Sequence, residues 1–221
     1  MASKRDFVVF GLGKFGSAVA QTLTANGCDV LAIDKSEEII QDISDYVTHA
    51  VQADVTDADA LQALGIRNFD VAVVAISNDM QSSVMATILA KEMGVGYVVA
   101  KAKNDIHKRV LEKVGADRVI FPEREIGIRI ANNLTSDSFV DFIELSDDFS
   151  IGELEVKEQW KGRTIREIDM RNAFGINVIG MRQGETMTIT PGPDKLLELG
   201  EILIVIGTNA NLKKLSEANE S

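Results

Sequence analysis

The stretch "FVVFGLGKFGSAVAQTL", Phe7 to Leu23, decides how the rest of the chain is read. Apolar aromatic and β-branched residues end at Gly11, and a helical pattern opens just after the glycines. Gly11, Gly13 and Gly16 fit the spacing G-x-G-x-x-G. In such a turn the first glycine allows the tight bend and the second lets a diphosphate approach the backbone. The third lets helix and strand pack closely. The helix N-terminus adds unpaired N–H groups and partial positive charge for the phosphate. Alone the spacing is weak. Here it follows a strand, opens a helix, and precedes Asp34, 18 residues after Gly16, at the end of the apolar run "DVLAID". Asp34 can accept hydrogen bonds from both ribose hydroxyls and would repel a 2′-phosphate, which argues against NADP. The competing reading is a glycine turn that binds nothing, with Asp34 as a cap.

Working outward, further strand-like runs follow in "HAVQAD", "DVAVVAI", "GYVVAKA" and "DRVIF", with helical patterns between them. Their near-continuous Val, Ile and Ala content suits parallel strands covered on both faces. Six such runs alternating with helices predict an α/β fold with a Rossmann-like doubly wound parallel sheet over residues 1–134. Beyond "EREIGIRIANNLTS" the pattern changes. "FVDFIEL", "SIGELEV", "NVIGMRQGETMTIT" and "EILIVIG" are strand-like with short connections. "GRTIREIDMRNAFG" and "NANLKKLSEAN" are helical. Residues 135–221 are thus expected to form a linker helix and a small α+β C-terminal lobe, with the polar stretches "SDSF" and "SDDFS" near the boundary.

Composition narrows the function. Net charge is −11 over 221 residues, and an acidic surface repels a phosphate backbone, so nucleic acid is not an expected partner. The single cysteine, Cys28, forms no intrachain disulfide and reads as a small filler. "MASKRD" leads straight into a strand, and "VAVVAI" and "ILIVIG" are too short to span a bilayer. A soluble cytoplasmic protein is expected, one that acts at a membrane only through a partner.

Other polar positions carry two readings each. Asp54, in "VQADVTDADAL", can meet an adenine amino group, or Asp54 and Asp57 merely start the next helix. Lys14, inside the loop, can reach a terminal phosphate or be solvated. "AISND", with Ala75, Ser77 and Asn78, follows the fourth strand and borders the crevice where ligands bind in this strand order. His49 and His107 read as surface or satisfied histidines rather than catalytic ones. No Tyr-x-x-x-Lys pair follows the sheet and no Cys/His cluster exists to hold a metal. The nucleotide is therefore expected to regulate rather than react. A small NAD-dependent oxidoreductase and an NADH-sensing transcriptional regulator are the alternatives. The first lacks an acid–base pair, and the second lacks a basic arm.

"VFGLGKFGSAVAQTL", "VLAIDKSEEIIQ", "HAVQADVTDADALQALGIRNFDVAVVAI" and "KVGADRVIFPEREIGIRIA" together resemble the RCK (KTN) family. These are cytosolic gating subunits of potassium channels and transporters, and the likeness is strongest to the regulatory subunits of Ktr-type potassium uptake systems. The stretch from Gly162 to Gly207 resembles the family's C-terminal lobe. The resemblance implies a homodimer assembling into an octameric ring under a membrane potassium-translocating subunit of the Ktr type. It implies ATP and ADP competing at the glycine loop, with NAD(H) binding the same fold in relatives. Phosphate contacts then fall on Gly11, Gly13, Lys14, Phe15 and Gly16, and Lys101 and Lys103 face the phosphates. Ribose and adenine contacts fall on Asp34, with Lys35 beside it, and on Asp54 and Val55. Lys14 stands where arginine is frequent, keeping the charge but losing the planar fork.

Glu123 in "FPERE" resembles a carboxylate that supports a divalent cation, Mg or Ca, near the γ-phosphate at the dimer interface; otherwise it is a first-turn acid of a helix. In the C-terminal lobe the resemblance implies a cyclic di-AMP site between two subunits. Arg171 would grip a phosphate there, and Asn177 and Pro191 would line the adenine pocket.

Overall fold

The run of β-branched residues at Val8 and Val9 becomes the central strand of a parallel sheet. A computed structural model describes residues 5–135, 139–146 and 148–218. The chain divides into two compact units, 1–122 and 123–221.

In the first unit six strands lie in the order β3-β2-β1-β4-β5-β6. They are β1 Asp6–Phe10, β2 Asp29–Asp34, β3 His49–Gln52, β4 Val71–Val74, β5 Tyr97–Lys101 and β6 Arg118–Ile120. Every pairing is parallel; Val8 lies between Leu31 and Ala72, and Phe10 between Ile33 and Val74. The crossovers carry α1 Lys14–Ala25, α2 Glu37–Ile43, α3 Ala58–Ala63, α4 Met80–Glu92 and α5 Asp105–Lys113. Alternate residues serve opposite faces, as the pleat requires. Val8, Phe10, Leu31, Ile33, Ala72 and Val74 pack with Leu61, Ala86, Ala90 and Leu111 of α3, α4 and α5. Val9, Val30, Ala32 and Val73 pack on the other face with Ala20 and Ile43 of α1 and α2. Both faces are thus covered, which explains the unbroken apolar strands. The strand order reverses between β1 and β4, and ligands of such sheets bind in the crevice at the carboxyl ends there.

The second unit opens with α6 Pro122–Thr135, whose Ile126, Ile128, Ile130 and Leu134 are exposed. An antiparallel sheet follows in the order β10-β9-β11-β8-β7. Its strands are β7 Phe139–Glu144, β8 Phe149–Glu155, β9 Asn177–Gln183, β10 Thr186–Ile189 and β11 Glu201–Thr208. β11 alternates buried and half-buried residues, as a sheet with one covered face does. Leu154, Trp160, Ile176, Leu203 and Val205 pack there with Leu212 and Leu215 of α9, Asn209–Ala218.

The single helix expected over "GRTIREIDMRNAFG" is two short ones, α7 Ile165–Ile168 and α8 Met170–Phe174. They break at Asp169, which takes a left-handed φ of 48° and accepts Asn172 Nδ2 on both carboxylate oxygens. Aspartate tolerates that conformation because its short polar side chain bonds locally. Helix α6, expected within 1–134, is grouped from Glu123 onward with the second unit. Residues 136–138 of the polar stretch "SDSF", and Asp147 of "SDDFS", lie outside the described residues.

Candidate functional site

The three glycines of the loop are required for three different reasons. Gly11 has φ +86° and donates its N–H to Ile33 O at 2.8 Å, and a Cβ there would come within 2.6 Å of the Ile76 side chain. At Gly16 a Cβ would fall 1.9 Å from the Gly11 carbonyl oxygen, so α1 can lie this close to the turn only through glycine. Gly13 is the odd one: a Cβ there would meet nothing within 4 Å. The fold itself does not demand glycine at this position. Open space above a backbone that starts a helix is what a close-lying phosphate needs.

Gly13 is also the N-cap of α1, and no side chain caps this helix start. The other long helices of the unit are capped: Asp79 serves α4 and Asn104 serves α5. Beside the uncapped start lies Lys101, the last residue of β5, only 8% exposed, with its ammonium 5.4 Å from the centre of the Phe15 ring. Phe15 is in the first turn of α1, so this contact brings Lys101 to the glycine loop. Lys14 and Lys103 are exposed, and Lys14 opens α1.

Asp34 ends β2, and both of its oxygens already serve the backbone. Oδ2 accepts the Leu12 N–H at 2.7 Å and Oδ1 the Ser36 N–H at 2.9 Å. The carboxylate therefore ties the glycine loop to the second strand. With about four lone-pair sites on a carboxylate, it keeps capacity for two further donors. Asp54 accepts both the hydroxyl (2.7 Å) and the N–H (2.9 Å) of Thr56. Those bonds, with Lys35 nearby, hold its carboxyl below the usual carboxylate range. Helix capping belongs to Asp57 instead, which accepts the Asp59 and Ala60 N–H groups. Val55 is buried in the core. Lys35 is exposed and acts on the charges of both Asp54 and Asp79, which brings the ends of β2, β3 and β4 into one neighbourhood.

Ala75 donates its N–H to Phe10 O at 2.8 Å and lies against Gly16; Ser77 is half-buried and Asn78 exposed. Sequence reasoning passed over Asp79, which accepts Gln81 N–H, Ser82 N–H and, at 2.6 Å, the Ser82 hydroxyl. An aspartate directly before a helical run with a serine three residues on was the available signal. His107, expected to be at the surface or satisfied, is 1% exposed and half satisfied: its Nδ1 accepts the Lys103 N–H at 3.3 Å, and its Nε2 has no hydrogen-bond partner among the described residues.

The remaining candidates lie in the second unit. Glu123 stands in the first turn of α6, where acids favour the helix dipole. Arg171 on α8 and Asn177 at the start of β9 are exposed. The β9–β10 register sets Ile189 opposite Gly180, which carries Pro191 to the same end of the hairpin as Asn177. Among the described residues no cluster of three or more His, Cys, Asp or Glu could hold a metal, and no helix is long and apolar enough to cross a membrane.

A TrkA-N domain model matches residues 7–122 and a TrkA-C domain model residues 153–219. Ktr system potassium uptake protein C of Bacillus subtilis (strain 168) is 36% identical over 214 residues, 97% of either chain. Ktr system potassium uptake protein A of the same organism is 35% identical over 210 residues, 95% of either chain. Among solved structures, a GsuK channel bound to NAD shares the fold, with a TM-score of 0.68 at 19% identity over 96% of this chain and 38% of that one. This chain belongs to the TrkA-N/TrkA-C (RCK) family, as its residues suggested.

Proposed function

We propose that this protein is a cytoplasmic nucleotide-sensing subunit that gates a membrane potassium-translocating subunit of the Ktr type. ATP activates and ADP inactivates; the nucleotide is a regulator, not a reactant. The observation that carries this reading is the empty space over Gly13 at an uncapped helix start, with Lys101 beside it. The kinship with Ktr uptake proteins supplies the transport context.

Gly11, Gly13, Phe15 and Gly16 present backbone to the phosphates, and Lys14, Lys101 and Lys103 add positive charge. Asp34 uses its remaining acceptor capacity on the ribose, while Asp54, the Val55 backbone and the Ala75–Asn78 turn border the adenine. NAD(H) fits the same places, and the NAD-bound relative of the same fold is in keeping with that. ATP differs from ADP by one phosphate. A ligand moves a conformational equilibrium only through contacts that it makes better in one state. Lys14, Lys101, Lys103 and a divalent cation supported by Glu123 are the groups that could meet the γ-phosphate across a subunit boundary.

Self-association follows from α6, whose exposed isoleucines form an apolar surface suited to a homodimer, and the family pattern extends this to an octameric ring. The protein would then sit at the membrane only through its transporter partner. Cyclic di-AMP, held by Arg171, Asn177 and Pro191, is the second ligand of this reading and inhibits.

The test is potassium flux in liposomes holding this protein and its membrane subunit. Flux should rise with ATP and fall with ADP, and Glu123→Gln should shrink the ATP effect while leaving ADP binding nearly intact. Equal flux with the two nucleotides in the wild type would refute gating even if both bind.

A further inference from the structure

His107 is a buried, titratable side chain that the nucleotide reading leaves unused. It stands in the first turn of α5, 1% exposed, and its own N–H is held by Asn104 Oδ1 at 2.9 Å. Its Nδ1 accepts the backbone N–H of Lys103 at 3.3 Å. An Nδ1 that accepts leaves the ring proton on Nε2. That N–H is buried without a partner among the described residues. Buried orphan donors are rare enough to need a reason.

The position of the ring supplies one. Lys101 and Lys103 flank the turn that leaves β5, and Lys101 reaches the glycine loop through Phe15. His107 grips that turn from behind, at the N–H of Lys103. We infer that His107 is the positioning residue of this basic turn: the neutral ring holds Lys101 and Lys103 toward the phosphates, and a protonated ring lets go. The inference rests on the nucleotide site proposed above.

Protonation places a hydrogen on Nδ1, which then opposes the Lys103 N–H instead of accepting it. It also puts a charge into a buried position. The charged groups on the surrounding elements are Lys101 of β5, Lys103 of the turn, Asp105, Lys108, Arg109, Glu112 and Lys113 of α5, Lys91 and Glu92 of α4, and Asp117 and Arg118 at the start of β6. Lys91 is paired with Asp117 and Lys108 with Glu112. Burial alone pushes the His107 imidazolium down from the ordinary 6.5. The neutral form is thus favoured in the folded protein. Its contribution is complete above the unfolded value and is lost as the pH falls below it toward the lower folded value.

The experiment measures NAD+ affinity of the full chain by calorimetry from pH 7.5 down to pH 5. NAD+ is the probe because its diphosphate does not titrate in that range. Wild-type affinity should fall at least three-fold across the lower part of the window. His107→Asn places an acceptor near the Nδ1 position and cannot protonate, so it should keep the pH 7.5 affinity with a flat profile. His107→Leu should bind several-fold more weakly at pH 7.5, also with a flat profile. In parallel, amide exchange of nucleotide-free wild type should show the Lys103 N–H losing protection as His107 protonates.

A wild-type pH profile retained by His107→Asn, or Lys103 protection unchanged on protonation, would overturn the role of His107 and leave the nucleotide site standing. Failure of the wild type to bind NAD+, ADP or ATP even at pH 7.5 would instead remove the site itself, and the inference with it.

Discussion

Asp34 and Asp117 sit at opposite ends of the same six-stranded sheet, and each accepts backbone N–H groups. At the amino end, Asp117 takes the Val98 N–H at 2.6 Å and is paired with Lys91 at 3.0 Å. Asp70, also at that end, takes the Asp6 N–H at 2.9 Å. Asp117 thus takes both its donor and its counter-charge from the fold. At the carboxyl end, Asp34 takes the Leu12 and Ser36 N–H groups and still has lone pairs to spare. Among the described residues, Lys14, Lys35 and Lys103 form no ion pair. The start of α1 is uncapped. The aspartates of both edges tie strand connections, and the carboxyl edge adds an uncapped helix start to that tie. The uncapped helix start beside Asp34, rather than the presence of charge, sets apart the end of the sheet proposed to bind nucleotide.

The largest effect expected from this contrast is on Gly16. A methyl there would lie 1.9 Å from a backbone oxygen that cannot step aside. Gly16→Ala should destabilise the first unit by about 3 kcal/mol or more, the upper range for overpacking. Gly13→Ala meets open space, so its melting temperature should stay within a few degrees of wild type while nucleotide affinity drops. Thermal unfolding of the two variants checks this. Equal destabilisation would mean that Gly13 is structural after all and would erase the main argument for a phosphate over it.

Next in size is Asp34→Ala. A charge-assisted hydrogen bond contributes ~1.5–3 kcal/mol. Loss of the ribose contacts should therefore weaken ATP, ADP and NADH alike by ten-fold or more. The loop also loses its tie at the Leu12 N–H, so some stability goes too. Calorimetry with unchanged ADP affinity would sink the ribose assignment and make Asp34 the counterpart of Asp117, a purely structural acid.

The doubly wound sheet was legible because its signals are local and periodic. Each strand of the first unit is an apolar run with its own turn, and G-x-G-x-x-G sits where one strand meets one helix. The roles of individual side chains were less so, because they depend on contacts between distant segments. Nothing in the sequence pairs Lys101 with Phe15, or lets the Lys103 N–H find the His107 ring. His107 looks like a surface residue in "NDIHKRV" because its neighbours are charged, yet the face it occupies, with Leu111 four residues on, is the buried one. In the second unit the run "REIDMRNAF" keeps helical periodicity through Asp169, so a break made by backbone conformation left no trace in the pattern.

The smallest effect expected is at Asp117, and it tests the amino end of the sheet. Burial works against its charge, but the Val98 N–H and Lys91 outweigh burial and hold its carboxyl below the ordinary 3.8. A carboxyl lowered by folding stabilises the protein above its unfolded value, and that contribution is lost as the pH falls toward the folded one. Asp117→Asn should therefore cost about 1 kcal/mol at neutral pH, below the usual range for a bond to a charged group because the side chain is 31% exposed. The deficit should begin to shrink as the pH falls below about 4, the unfolded value, and close only below the lower folded value, where wild-type Asp117 also becomes neutral. Nucleotide affinity at pH 7.5 should not change. Urea unfolding at several pH values, with NAD+ titration at the highest, gives both quantities. A variant that keeps its stability but loses nucleotide would show that the two ends of the sheet are coupled, and that the contrast between them does not locate the site.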